Sequence, residues 1–522
     1  MGKDKFLKGA LILTVAGLMV KVIGSVNRIL LSRLLGGEGI GLYQMAYPVY
    51  LLMLSICSAG VPIAVSIIVA EKVAKNDYNG AHRIFKVTLG LMAVFGLALA
   101  LLLFQLAGYL VSSGWLRDSR AYLALVVLTP AVLFSSILAS FRGYFQGYQM
   151  MTPPAVSQIL EQLVRVMTMI GLAYYLLPSG LEKAAAGAAF GAVPGGIMGI
   201  TVLCWFYRRA RKDWQEKISQ QKKTVQESVI AIAKRLVLLA IPVTCANLLI
   251  PVTSSIDMLL VPNALGKAGF GVEAATTLFG YLTGMAQPLL MMAIIPTVSL
   301  AASLVPAVSE ACTLQRTDEI LRKTTNALKI CMLLVLPAAV GMYVLAGPIS
   351  GTLYGTLHAA PVIAHLAPSV AFLGIFQVTT GALQGIGKTA VPMWNMLFGA
   401  ALKAVAVWRL TSVAAFHILG AAWASNINFA AAALINICFL YKNKISFPVA
   451  DSLKILAASL CMGAAGRMAS LLAAEKAGIV AGLCAGMAVS VLVYVAAVVF
   501  LGCITREEAA QMPGIGKFIR KK

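Results

Sequence analysis

Acidic residues are scarce in this chain. Only 19 Asp and Glu face 42 Lys and Arg, and charged residues of both signs make up 12% of the sequence. With 522 residues and 60% of them hydrophobic, a water-soluble fold would leave large apolar patches bare, so a soluble globular protein is excluded. Histidine is scarcer still. His82, His358, His365 and His417 lack the spacing of a zinc-protease pair. The nine Cys are scattered without paired spacing, so they read as small packing residues and not as a disulfide framework or a metal cage. No nucleophile–base set and no carboxylate pair in a soluble cleft is visible. Neither an enzyme nor a cofactor or metal site is expected. GIGKT at 385–389 resembles the end of a phosphate-binding loop, but Ala382 stands where that loop needs its first Gly, and an apolar helix precedes it instead of a strand.

What is abundant is long apolar sequence. The pattern predicts an all-α integral membrane protein with about 14 spans, near 11–31, 41–70, 86–112, 121–141, 154–177, 184–207, 230–261, 274–307, 324–350, 361–384, 390–411, 414–441, 453–474 and 477–503. The basic start, MGKDKFLKGA, leads into the first span with no small-residue cleavage site, so that span reads as uncleaved. The net charge of +23 does not point to nucleic acid, because most Lys and Arg fall in the connections on one side. That bias places both termini in the cytoplasm of a multi-pass cell-membrane protein. It also favours anionic phospholipid headgroups, at about 1 kcal/mol per surface cation.

The first span carries charge where charge is costly. Lys21 lies at its centre and Arg28 two turns on, where a cation costs at least about 3 kcal/mol unless it faces protein or water. Gly17, Lys21, Gly24 and Arg28 share one helical face. Two glycines beside two cations form a recessed positive stripe suited to an anionic ligand.

The chain also repeats itself. Segment 143–166 aligns with 381–405: Gln146 and Gly147 fall on Gln384 and Gly385, Pro154 on Pro392, and Arg165 on Lys403. Met45, Ala46 and Pro48 fall on Met285, Ala286 and Pro288, and Asn27 and Arg28 fall on Asp257 and Met258. Both copies start on the same side and hold six spans. The expectation is therefore a parallel repeat about an axis along the membrane normal, enclosing a cleft. The divisions are 1–207 as the first lobe, 208–229 as a cytoplasmic linker, 230–441 as the second lobe, and 442–522 as spans 13 and 14 with a basic tail. RRARKDWQEKISQQKKTVQES, 208–228, reads as an amphipathic cytoplasmic helix or linker joining two halves, with a solvated charged connector, whose composition matters more than its order, as the favoured alternative.

The repeat puts Arg28 of span 1 and Asp257 of span 7 at matching depth, where a salt bridge would act as an outer gate. Glu161 and Arg165 stand four residues apart on span 5 and read as a local pair. Lys403, without an acid nearby in sequence, is a candidate to meet an anion. Gln377 of span 10 and Asn426 of span 12, with Asn428 beside it, could donate hydrogen bonds to a ligand or bridge helices. Arg142, in FRGYFQGYQ, could meet a headgroup phosphate at the inner mouth.

The segment 8–66 closely resembles the start of the stage V sporulation protein B group, a resemblance that extends over essentially all 14 spans and is most specific in RLLGGEGIGLYQMAYP and FRGYFQGYQMMTPPAVSQ. That group belongs to the multidrug/oligosaccharidyl-lipid/polysaccharide exporter superfamily, beside the lipid II flippases. The resemblance implies a two-lobed helical transporter with a lipid-tail groove at spans 13 and 14. It implies an undecaprenyl-diphosphate-linked saccharide as substrate, a peptidoglycan precursor for spore cortex, moved from the inner to the outer leaflet by alternating access. Cell-wall synthesis proteins are the implied protein partners. The flippases carry a basic residue, a Gly and an Arg on span 1, which Lys21, Gly24 and Arg28 match. Val20 stands where a Ser usually precedes the basic residue, and 41–70 lacks the Arg that the better-known flippases place there. Within the same superfamily the other reading is a multidrug/cation antiporter, which would need more intramembrane acids than Glu161 and Asp257. A non-transporting scaffold for a membrane synthase is the third.

Overall fold

A backbone that crosses lipid must satisfy its own hydrogen bonds, and a chain this apolar does so by helix. The structure, a computed structural model, describes residues 2–219, 221 and 227–503. The basic tail 504–522 and linker residues 220 and 222–226 lie outside the described residues, as do the side chains of the basic start. Among the described residues there is helix and no strand.

Among the described residues eleven stretches are long and apolar enough to cross a membrane. Two of the helices are too long for one crossing. Gly2–Ser58, at 57 residues, would reach roughly 85 Å as one straight helix, against about 30 Å of hydrocarbon. The backbone breaks inside it at Gly36, whose φ of 67° a residue with a Cβ rarely adopts. Val449–Phe500 breaks the same way at Gly478, φ 85°.

The chain divides into two compact units, Met1–Gly280 and Tyr281–Lys522. The first holds α1 (Gly2–Ser58), α2 (Val61–Ala74), α3 (Tyr78–Ser112), α4 (Ala121–Val126), α5 (Thr129–Gly147), α6 (Thr152–Leu176), α7 (Leu181–Phe190), α8 (Ala192–Ser219), α9 (Val229–Lys267) and α10 (Val272–Gly280). Here α3 and α2 pack on α5, α6 packs on α1 and α8, and α9 runs along α1, α2 and α3. The second unit holds α11 (Gln287–Ala293), α12 (Ile295–Thr313), α13 (Thr317–Val344), α14 (Ala346–Tyr354), α15 (Ala360–Leu366), α16 (Pro368–Gly385), α17 (Ala390–Ala406), α18 (His417–Lys442) and α19 (Val449–Phe500). In it α12 and α13 pack on α16, α17 packs on α18, and α19 packs on α13.

The two units repeat one helix contact almost atom for atom. A Cβ added to Gly147 would lie 2.6 Å from Val69 Cβ and 3.0 Å from the Ser66 carbonyl. A Cβ added to Gly385 would lie 2.7 Å from Val308 Cβ and 3.0 Å from the Val305 carbonyl. One turn earlier, Gly143 meets the Pro62 carbonyl and Gly381 meets the Ala301 carbonyl. The aligned glycines are therefore the places where α5 closes on α2 and α16 closes on α12.

The segment after span 6 is more than a solvated connector. Residues 208–219 continue α8 as helix, and Trp214 is buried, its ring 5.1 Å from both Tyr144 and Tyr148 and 5.5 Å from Tyr207. Asp77, which caps α3 through Gly80 N–H at 2.9 Å, also accepts from Gln221 Nε2 at 2.9 Å. Lys72 pairs with Glu227 at 2.7 Å. The expectation that only the composition of 208–228 matters fails here, because one indole in a charged run is enough to dock a helix into an aromatic cluster.

Candidate functional site

Lys21 is exposed and Arg28 is half-buried, while a Cβ added at Gly17 would meet nothing within 4 Å. A Cβ at Gly24 would sit 3.3 Å from Gln162 Nε2 of α6. Arg28 lies over the ring of Tyr47, 5.8 Å from its centroid. That ring stacks on Tyr43 at 5.3 Å and stands 5.9 Å from Tyr50, so one helix presents a tyrosine ladder to the cation. Among the described residues the ion pairs do not include Arg28 with Asp257; Asp257 is buried on α9, and the partner of Arg28 in this conformation is an aromatic face.

Glu161 and Arg165 pair as their spacing suggests, with Arg165 Nη2 3.0 Å from Glu161 Oε1. Sequence distance hid a third member. Arg142 Nη2 donates to Glu161 Oε2 at 2.6 Å, bringing α5 and α6 together across the TPP turn. Arg142 also approaches Ser157 Oγ at 3.4 Å. All three side chains are more than four-fifths buried. They line a cavity of about 280 Å³ with Val20, Ser58, Ser135, Gln158 and Gln162. Since Val20 and Gly24 face this cavity and Gln162, the stripe on α1 and the charged triad are neighbours within one unit.

The other candidates belong to the second unit. Gln377 Oε1 accepts from Thr297 Oγ1 at 2.6 Å and lines a cavity of about 210 Å³ with Val298, Ala301, Phe376 and Thr380. Asn426 is spent on helix bridging: its Oδ1 accepts from Ser369 Oγ at 2.5 Å and its Nδ2 donates to the His365 carbonyl at 2.8 Å. Lys403 is buried on α17. The structure thus gathers Lys21, Arg28, Arg142, Glu161 and Arg165 in the first unit and leaves Lys403, Gln377 and Asn426 in the second.

A further polar cluster escaped the sequence reading. Arg120 grips Asp118 through Nε at 3.0 Å and Nη2 at 2.8 Å, and reaches Glu38 Oε1 at 2.7 Å. Thr276 Oγ1 donates to Asp118 Oδ2 at 2.8 Å, and Arg117 donates to the carbonyls of Pro262 at 3.2 Å and Phe270 at 3.0 Å. The short connection 113–120 therefore clasps α1, the end of α9 and the start of α10. Burial works to raise the Asp118 carboxyl, but donation from Arg120 and Thr276 outweighs it and holds the group below its ordinary value. Hydrogen bonding to Asp118 pushes Arg120 up. The only sequence signal was the alternation of RDSR at 117–120.

Residues 6–312 match the polysaccharide biosynthesis protein family. The chain belongs to that family. Within it, stage V sporulation protein B of Bacillus subtilis (strain 168) is 32% identical over 81% of this chain and 81% of its own length. The lipid II flippase MurJ of the same organism is 28% identical over 77% of this chain and 76% of its own. Among solved structures, a lipid II flippase MurJ in an inward closed conformation superposes with a TM-score of 0.67 at 16% identity, over 94% of this chain and 98% of that one. An inward-facing MATE family multidrug transporter gives 0.64 at 15%, over 83% and 98%. The superfamily named from the sequence is the right one. This family member is a multi-pass, all-α membrane transport protein and not an enzyme.

Proposed function

We propose that the protein is a flippase that carries an undecaprenyl-diphosphate-linked cell-wall saccharide, a peptidoglycan precursor for spore cortex, from the inner to the outer leaflet by alternating access. One observation carries this reading: inside the spans of the first unit Arg142 and Arg165 share one carboxylate, Glu161, and α1 adds Lys21 and Arg28, so that these four cations outnumber the two carboxylates Glu161 and Asp257. Such a surplus attracts an anion and repels the cations that an antiporter would need to bind. An inside-negative potential would drive an anion outward, at about 2.3 kcal/mol per charge per 100 mV.

Two further features support it. In the second unit an apolar groove of about 410 Å³ runs between α13 and α19, lined by Pro337, Met342, Met462, Met487 and Tyr494 among others. A prenyl tail fits that chemistry, which is the place the resemblance gave to spans 13 and 14. On the positive-inside topology, with fourteen crossings and both termini cytoplasmic, the Arg117–Asp118–Arg120 clasp falls at the outer end of the first unit and serves as a gate. A pair between Arg28 and Asp257 would belong to another state of the cycle. Lys403 and Gln377 are offered as later contacts.

The names of the relatives agree, one as a lipid II flippase and one as a sporulation protein. The test is genetic. Cells depleted of their lipid II flippases should regain growth with this gene, and Lys21→Ala and Arg28→Ala should lose that rescue while inserting normally. No rescue by a well-expressed wild type would sink the reading.

A further inference from the structure

We infer that the cavity between α5 and α6 of the first unit is an oxyanion subsite for a phosphate-type group, with Glu161 as an exchangeable internal occupant. The inference rests on the transport reading and assigns the place where the substrate's charged head is held.

Two guanidinium groups from different helices converge on one carboxylate, Arg142 on Oε2 and Arg165 on Oε1. A guanidinium fork is shaped for carboxylate or phosphate, and the carboxylate already there shows that the geometry holds an oxyanion. Each arginine has five N–H donors, and each gives Glu161 only one close contact. Arg165 Nε is buried and has no hydrogen-bond partner among the described residues. The cluster keeps one net positive charge beside a cavity of about 280 Å³ that also presents Gln158 and Gln162.

The repeat supplies an internal control. Arg142, Glu161 and Arg165 correspond to Thr380, Gly399 and Lys403. The second unit closes the same helix contact with those residues. Gly385 nests on Val308 as Gly147 nests on Val69, and its own smaller cavity lies beside Gln377 and Thr380. At Thr380 the hydroxyl takes a hydrogen bond from Asn436 Nδ2 at 3.2 Å, and a Cβ added at Gly399 would lie 2.6 Å from the Asn428 amide oxygen. The architecture does not require the ion triad. A buried ion pair is also weak as a source of stability, because desolvation consumes most of its Coulomb gain. The triad is therefore there for a ligand.

A carrier must also release its cargo. Two arginines with no acid between them would hold a diphosphate too firmly for a carrier. Glu161 competes for the same donors, so the anion enters by displacing the carboxylate and leaves when the carboxylate returns. Glu161 is in this sense a positioning residue, acting on the ligand through Arg142 and Arg165.

The test uses the full chain in lipid nanodiscs and inorganic pyrophosphate as the probe, with affinity read by calorimetry at low salt. Wild type should bind. Glu161→Gln should bind about tenfold tighter because the competitor is gone, and Arg165→Lys about tenfold weaker because charge survives without the fork. A purely structural triad would give no tightening in Glu161→Gln, and unchanged or weaker binding by that folded variant overturns the inference. If Glu161→Gln does not fold, Arg165→Lys decides, and unchanged affinity there overturns it. Competition by farnesyl diphosphate marks a prenyl-linked diphosphate as the source. Competition by phosphatidylglycerol marks a headgroup phosphate at the same subsite. Competition by neither overturns the assignment. Rescue of flippase-depleted cells together with unaltered binding in both variants would leave the transport reading standing and remove this one. The expected binding pattern without rescue would do the reverse.

Discussion

The two halves of the repeat differ most where they are built most alike. Around Gly143 and Gly147 the first unit surrounds its helix contact with Arg142, Glu161 and Arg165, while around Gly381 and Gly385 the second unit places Thr380, Gly399 and Lys403. The glycines set how closely helices approach, and that is shared. The charges set what can enter the neighbouring space, and that is not. Stability and ligand chemistry have been assigned to different residues of the same motif, which makes the comparison open to attack by exchange.

The largest effect should come from unbalancing the triad. Glu161→Ala leaves two mostly buried guanidinium groups without a counter-charge, a loss of about 3–5 kcal/mol. The exchange Arg142→Thr, Glu161→Gly and Arg165→Lys, which installs the second unit's residues, should cost less than Glu161→Ala, because a cation leaves together with the carboxylate and one buried charge is left unpaired where Glu161→Ala leaves two. Thermal unfolding in detergent measures both. Equal losses would mean that the charges are structural and that the comparison fails.

A feature with no counterpart in the repeat comes next. Trp214→Ala should cost about 3–5 kcal/mol locally, because the indole fills the cluster of Tyr144, Tyr148 and Tyr207. Much of that can appear as undocking of 208–219 and not as global unfolding. Proteolysis within 208–219 should speed up, and an unchanged cleavage rate would return the segment to the status of a connector.

The shared contact gives a smaller, paired effect. Gly147→Ala and Gly385→Ala each push a methyl to within 2.6–2.7 Å of a valine, so each should cost about 1–3 kcal/mol, and by similar amounts. A large loss at one site with none at the other would show that the two contacts are not equivalent.

The smallest effect concerns the clasp. Asp118 has its folded-state value below the ordinary one, so its contribution is present in full above the unfolded value of about 3.9. It is lost as pH falls through the folded value. Hydrogen exchange in 272–280 should stay slow near neutrality and rise only in strong acid. Asp118→Asn should raise it at neutral pH, with a loss of about 1–3 kcal/mol at the clasp. Slow exchange in that variant would remove Asp118 from the gate.

Much of this protein was legible in its residues. Long apolar runs determine helices in lipid, because no other open backbone structure satisfies its hydrogen bonds there, and the alignment of Gly147 with Gly385 marked the repeat, though not the helix contact the two glycines make. The stripe of Lys21, Gly24 and Arg28 followed from helical period alone, and Glu161 with Arg165 from a spacing of one turn. Everything joined across long sequence distance had to wait for the fold. Arg142 reaches Glu161 only because α5 and α6 fold back on each other, Tyr47 reaches Arg28 only because Gly36 reverses α1, and Arg120 reaches Glu38 only because α3 ends beside that reversal. Trp214 looked like one residue in a charged linker, since its burial depends on aromatic rings supplied by α5. Period and composition report what a helix is and which face it offers, but the partner of that face is set by helix packing, where the contacting residues come from distant segments and leave no mark on one another's sequence.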